Sequence, residues 1–206
     1  ITMLELLSNV GIDFSLDEVK EIIGKGKAYH KTEDKYDTIS AMIKSIRGSD
    51  PDAAIYWLAK MLSGGEDPLY TARRLVILAS EDIGLANPQA LPIAVAGMQA
   101  AKDIGMPEVR IILAEVALYL ALSPKSNSAY NAIDDALYNI ENSRIQEIPS
   151  HLKKIQKKDY KYPHAYNNNF TNQKYMLEKI EFYKAGKNKF EDAALDRLDK
   201  LWNNKK

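Results

Sequence analysis

Two arginines and two carboxylates stand close together in RRLVILASEDIGLANP, residues 73–88. Arg73 and Arg74 open the stretch, an apolar run from Leu75 to Ala79 fills it, and Glu81 and Asp82 follow. Paired acids in an apolar setting can divide general acid and general base work between them. On a helix, Arg74, Leu78, Glu81 and Asp82 lie near one face, and Arg73, Ile77 and Glu81 form an i, i+4, i+8 stripe. Yet no histidine or nucleophile motif accompanies the acids. The bases stand toward the start of the helix and the acids toward its end, which is opposite to what the helix dipole favours. Charges in that order suit pairs with neighbouring helices. Such a buried ion-pair network fixes register or an interface and adds little net stability. Arg73, Arg74, Glu81 and Asp82 are therefore read as structural or interface residues, with a two-carboxylate hydrolase site as the competing reading.

No other stretch supplies a catalytic set. His30, His151 and His164 are far apart, and none falls in an H-x-x-x-H or H-E-x-x-H frame, so a metal site has no support. IGKGKAY at residues 23–29 lacks the G-x-x-x-x-G-K-[ST] spacing of a phosphate loop and reads as a helix stop. The absence of cysteine excludes disulfides, thiolate zinc sites and thiol nucleophiles.

A second constellation is basic. Lys153, Lys154, Lys157, Lys158 and Lys161 interleave with Tyr160, Tyr162, His164 and Tyr166. Lysines neutralise phosphates and tyrosines stack on unpaired bases, a combination suited to single-stranded nucleic acid. The structural alternative is that the tyrosines clamp this segment onto a helical core while the lysines face water. Net charge is zero overall, but residues 151–206 hold 14 basic and 7 acidic side chains, leaving 14 and 21 in the first 150. That asymmetry fits either a polyanion-binding end or mutual attraction between the two ends.

The elements that would carry these residues are helices. Ile39, Met42, Ile43 and Ile46 recur at helical spacing after Asp37, and Gly48 ends the run. Asp50-Pro51, Asp67-Pro68, Asn87-Pro88, Met106-Pro107 and Ser123-Pro124 then begin successive helices, mostly after a glycine stop, with proline at the first helical position. One face of the first of these carries Ile55, Leu58, Ala59 and Leu62, and the last contains Tyr130, Ile133, Ala136, Leu137 and Ile140. Because Leu75 to Ala79 is apolar around its whole circumference, that helix is expected to be surrounded by others. Strand patterns are absent. The fold class is all-α, an antiparallel array with short loops. Residues 1–36 read as two short helices and a polar linker, AYHKTEDK, at the end of a preceding domain. Residues 37–142 read as the helical core, and residues 143–206 as an extended basic arm with a short helix from His151 to Lys157 and a last helix over FEDAALDRLDKLWNN. The chain starts at Ile1 rather than Met and so reads as a piece of a longer protein. With no membrane-spanning run or signal peptide in it, a cytoplasmic location is expected.

YDTISAMIKSIRGSDPDAAIYWLAKMLSGGEDPLYTARRLVILASEDIGLANPQAL, IGMPEVRIILAEVALYLALSPKSNSAYNAIDDAL and YKYPHAY resemble the C-terminal region of the RarA/MgsA family of AAA+ ATPases. The family includes the bacterial replication-associated recombination protein and the eukaryotic Werner-helicase-interacting protein. The resemblance runs from about residue 12 to the end. It implies that residues 1–36 close the helical lid of an ATPase core, and that the rest forms a domain similar to the collar of clamp loaders. It also implies assembly into homotetramers, with no catalysis and no cofactor in this chain. ATP and magnesium would belong to an N-terminal ATPase domain. Work at stalled replication forks in the nucleoid would follow, with DNA and single-stranded-DNA-binding protein as partners.

Overall fold

The computed structural model describes residues 32–154 and 159–203. Among the described residues there are seven α-helices and no strand: α1 (Thr32–Arg47), α2 (Pro51–Ser63), α3 (Pro68–Leu78), α4 (Ala90–Asp103), α5 (Val109–Leu122), α6 (Ser128–Asn142) and α7 (Lys189–Asn203). The helices expected for residues 1–31, and residues 155–157 of the helix expected from His151, lie outside the described residues.

Asp-Pro punctuation works as expected at two places. The Asp50 carboxylate accepts the Ala53 N–H at 3.0 Å, and Asp67 accepts the Leu69 N–H at 2.9 Å. In each case proline occupies the first helical position, where no N–H is needed. Short turns at residues 48–50 and 64–67 send consecutive helices back on one another. The later prolines act differently. Asn87 makes a side-chain turn onto the Gln89 N–H, and α4 starts at Ala90. α5 starts at Val109, after Pro107. Ser123-Pro124 opens no helix. Residues 123–127 form a bridge, and α6 begins at Ser128.

α1 begins at Thr32, five residues before the expected Asp37 and inside the stretch read as a linker. Its polar first turns are recruited by ion pairs to neighbouring helices. Lys35 reaches Glu66 at 2.8 Å, and Asp34 accepts Lys60 at 3.3 Å. The boundary drawn between residues 36 and 37 thus falls within a helix.

One cluster of buried apolar side chains joins α1 to α5. α5 is the central helix and touches α1, α2, α3 and α4, burying Val109, Leu113, Val116, Ala117 and Leu120. All four α1 residues expected in the core are buried. On α2 the buried stripe is Ala54, Leu58 and Met61, a rotation of about one residue from the expected face, with Ala59 exposed. The rotation follows where α1 and α5 lie against α2, which the α2 sequence does not encode. α3 is covered on most sides but not all, since Ile77 remains 47% exposed. α6 contributes only Ser128 to the buried set. Tyr130, Ile133, Leu137, Tyr138 and Ile140 all face solvent on it.

Beyond α6, residues 143–188 form an arm with no α-helix among the described residues and only 3-10 turns at Ser150–Leu152, Pro163–Ala165 and Asn167–Asn169. α7 then folds back onto the segment following α3. Trp202 on α7 packs edge-on against Phe170 of the arm, with ring centroids 5.0 Å apart.

Candidate functional site

The stretch carrying the paired acids does not continue as an α-helix. After Leu78 the backbone widens into a π-turn over Ala79–Ile83, then tightens into a 3-10 turn over Gly84–Ala86. π-turns re-aim side chains within a helical run. Here the change carries Glu81 and Asp82 toward the end of α1. Asp82 is buried and accepts Arg47 Nε at 2.5 Å, while Glu81 accepts Arg47 Nη2 at 3.0 Å. Both acids thus pair with Arg47 of α1. Among the described residues no ion pair involves Arg73 or Arg74. Arg73 is exposed, and Arg74 Nε is buried without an acceptor. The hydrogen bond to Asp82, with the charges of Asp82 and Glu81, raises the Arg47 pKa further above its usual value and keeps the guanidinium charged.

A serine-rich bridge lies across this junction. The Ser126 N–H donates to the Asp82 carbonyl at 2.8 Å. Lys125 Nζ donates to the carbonyls of Leu120, Ala121 and Ser123 and to Ser49 Oγ, at 2.6–3.1 Å. It thereby satisfies the open C-terminal end of α5 and ties it to the α1–α2 turn. Burial lowers the Lys125 pKa, opposed by the nearby Asp82 charge. Gly84 has φ +46°, and a Cβ there would stand 2.9 Å from the Ser126 carbonyl oxygen. Only glycine suits both the conformation and the close approach.

The same bridge anchors the last helix. Glu191 has no exposed surface, yet no cation pairs with it among the described residues. It accepts Ser128 Oγ at 2.6 Å, Tyr183 Oη at 2.9 Å and the Asn188 side-chain amide. Asn188 in return accepts the Glu191 N–H at 3.0 Å and so caps the start of α7. Burial alone would raise the pKa of this carboxyl. Hydrogen bonds from Ser126, Ser128, Asn188 and the Gly186 backbone outweigh it and hold the pKa at about 2, against an ordinary 4.5. Tyr183 is pushed up to about 12 by burial and by its bond to the carboxylate. Sequence reasoning missed Arg47, Lys125 and Glu191. Asn188 and Glu191 carried a local signal, N-x-x-E ahead of an amphipathic run. Arg47 and Lys125 carried none, because their partners are remote in sequence.

Of the basic arm, Lys153, Lys154, Tyr160 and Tyr162 line one open cleft of about 540 Å³ together with His151. Lys157 and Lys158 lie outside the described residues. Tyr160 is 40% and Tyr162 59% exposed. The Tyr162 ring lies 5.2 Å from that of His164. Lys161 is exposed and holds Gln173 through its backbone N–H and carbonyl, at 3.3 and 2.9 Å.

Among the described residues no group of His, Asp or Glu is arranged to hold a metal ion, and no helix is long and apolar enough to cross a membrane. Glu81 and Asp82 are both engaged by Arg47, and Asp82 Oδ2 is buried with no partner among the described residues.

Residues 48–202 match the family described as MgsA AAA+ ATPase C terminal. The replication-associated recombination protein A of Bacillus subtilis is 42% identical over 209 residues, covering 94% of this chain and 49% of that protein. The Escherichia coli K12 protein of the same name is 40% identical over 155 residues, 70% of this chain and 35% of its own length. The ATPase WRNIP1 of Dictyostelium discoideum is 40% identical over 156 residues, 71% of this chain and 18% of that protein. The chain spans about half the length, or less, of these relatives.

Proposed function

From the premise that the chain belongs to the MgsA AAA+ ATPase C-terminal family, we propose that it is a non-catalytic assembly domain of a replication-associated recombination ATPase, joining four copies through its own helical surface. The observation that carries this reading is α6. Tyr130, Ile133, Leu137 and Ile140 recur at i, i+3, i+7 and i+10 and are each 46–54% exposed, with Tyr138 beside them at 69%. Single exposed apolar residues are ordinary on a protein surface, but a continuous stripe of them along one helix marks an interaction face. A second copy is the occupant this face suits. The stripe has the composition of a core-facing helix, as obligate interfaces between identical subunits do. The ion-pair hub and the Lys125 bridge serve this role by holding α5, α3 and the base of α6 in fixed register. In the whole protein this domain would hold together ATPase units that bind ATP and magnesium and act at stalled forks with DNA and single-stranded-DNA-binding protein.

Replacing Ile133 and Leu137 together by Asp tests the assignment. The expected result is a smaller solution mass with unchanged helix content. An unchanged mass removes α6 from the interface.

A second reading rests on the arm. Lys153, Lys154, Tyr160 and Tyr162 share one cleft, which suits single-stranded nucleic acid. Changing Lys153, Lys154, Lys157 and Lys158 to Ala should weaken binding and lower the salt slope by up to about 3, at roughly 0.7 for each phosphate no longer neutralised. Unaltered binding and slope would leave the arm without that role.

A further inference from the structure

A different cleft lies on the side of the molecule formed by α1 and α3. These two helices run in the same sense. Lys35 near the start of α1 pairs with Glu66 just ahead of α3, while Arg47 at the end of α1 pairs with the acids just beyond α3. The cleft between them has a volume of about 380 Å³ and is lined by Tyr36, Ser40, Lys44, Arg47, Tyr70 and Arg74 over a floor of Ile39 and Ile43. Tyr36, Ser40 and Lys44 recur every fourth residue, so the lining extends ~12 Å along α1 at ~1.5 Å per residue. Tyrosines stand at one end and cations at the other. No carboxylate lines it among the described residues.

We propose that this cleft binds a short stretch of single-stranded nucleic acid, with phosphates on Lys44 and Arg74 and a base stacked on Tyr36. Arg47 is already engaged by Asp82 and Glu81, so its charge is largely spoken for. Lys44 is exposed and pairs with no acid among the described residues. Arg74 lines the cleft and pairs with no acid among the described residues. Tyr36 is 61% exposed on the α1 rim and offers a free ring, whereas Tyr70 already carries Lys35 4.4 Å over its face. An acidic peptide would use the cations and leave the tyrosine idle. A single strand uses both, because every base has a face that stacks and every step brings a phosphate. The ~12 Å of lining matches about three nucleotides at ~3.4 Å per stacked step.

This site is separate from the basic arm, and the test keeps the two apart. Binding of a fluorescein-labelled oligo(dT) to the full chain is followed by anisotropy over a series of salt concentrations. The proteins compared are wild type, Tyr36→Ala, Lys44→Ala and the arm variant Lys153→Ala/Lys154→Ala, each checked for helix content by circular dichroism. The expected result is about a tenfold loss of affinity for Tyr36→Ala, which removes one stacking ring. Lys44→Ala should lower the salt slope by about 0.7. Both changes persist when the arm lysines are also replaced. If the arm variant abolishes binding while Tyr36→Ala and Lys44→Ala bind as wild type, the cleft proposal is overturned and the arm reading stands. If the cleft variants lose binding and the arm variant does not, the reverse holds. Oligo(dT) binding indifferent to Lys44, with capture of an acidic peptide that depends on it, assigns the cleft to a protein partner and overturns the proposal.

Discussion

Glu191→Gln isolates the charge of the buried carboxylate with almost no change of shape. In the folded chain the carboxylate accepts from Ser128 and Tyr183 hydroxyls and the Asn188 amide. A glutamine keeps one acceptor oxygen but turns an amide donor toward the Asn188 amide, donor against donor. It also makes neutral what were charge-assisted bonds, each roughly twice as strong as its neutral counterpart. Losing that difference over three bonds, with one donor left unsatisfied, costs about 2–3 kcal/mol at neutral pH. The cost should appear first in α7 and the arm, which Glu191 ties to the Ser126–Ser128 bridge. Amide exchange of α7 at pH 7 should therefore quicken by about 30- to 150-fold, at ~1.4 kcal/mol per factor of ten. The pH dependence carries a sign. Because the folded pKa is held at about 2, below the ordinary 4.5, the wild-type advantage is complete above 4.5 and is lost as pH falls toward 2. The stability gap between wild type and Glu191→Gln, read from urea unfolding at pH 7, 5, 4 and 3, should stay level to about pH 5 and then close. A gap that is absent at pH 7, or that persists undiminished at pH 3, would refute the reasoning.

Arg47→Ala leaves the buried Asp82 carboxylate without its hydrogen-bonded cation and, because Arg47 itself is half-exposed, should cost about 1–2 kcal/mol in urea unfolding, whereas Arg73→Ala should change stability by less than about 0.5 kcal/mol. Equal losses from the two would contradict the pairing described here. Gly84→Ala forces a side chain into a positive-φ position and against the Ser126 carbonyl, and should cost about 2–3 kcal/mol, measured as a drop in the urea midpoint. A silent Gly84→Ala would show that the bridge shifts without cost. Ile133→Asp with Leu137→Asp should lower the solution mass with little loss of monomer stability, because both side chains are already half-exposed.

What the sequence made legible was local. Asp50-Pro51 and Asp67-Pro68 encode their caps within four residues, and the structure has them. The α1 core stripe was equally plain, since its period and its burial agree. Misreadings arose where a remote partner decides the outcome. Ser123-Pro124 has the form of a helix start, but Lys125 and Ser126 are held by α5, Ser49 and the Asp82 backbone, so the chain crosses the junction before α6 can begin. The partner of Glu81 and Asp82 on the neighbouring helix is Arg47, about 35 residues away, which no local pattern marks. The polar segment before Asp37 reads as a linker until Lys60 and Glu66 are placed beside it. The apolar stripe of α6 was visible as a pattern. That it faces solvent, and so is available to a second copy, required the packed arrangement of the other helices.

Assembly is the central claim, and solution mass tests it most directly. Light scattering over a range of protein and salt concentrations should give about four times the 23.2 kDa of one chain, steady in high salt as expected of an apolar contact. A mass of one chain at every concentration would contradict the account.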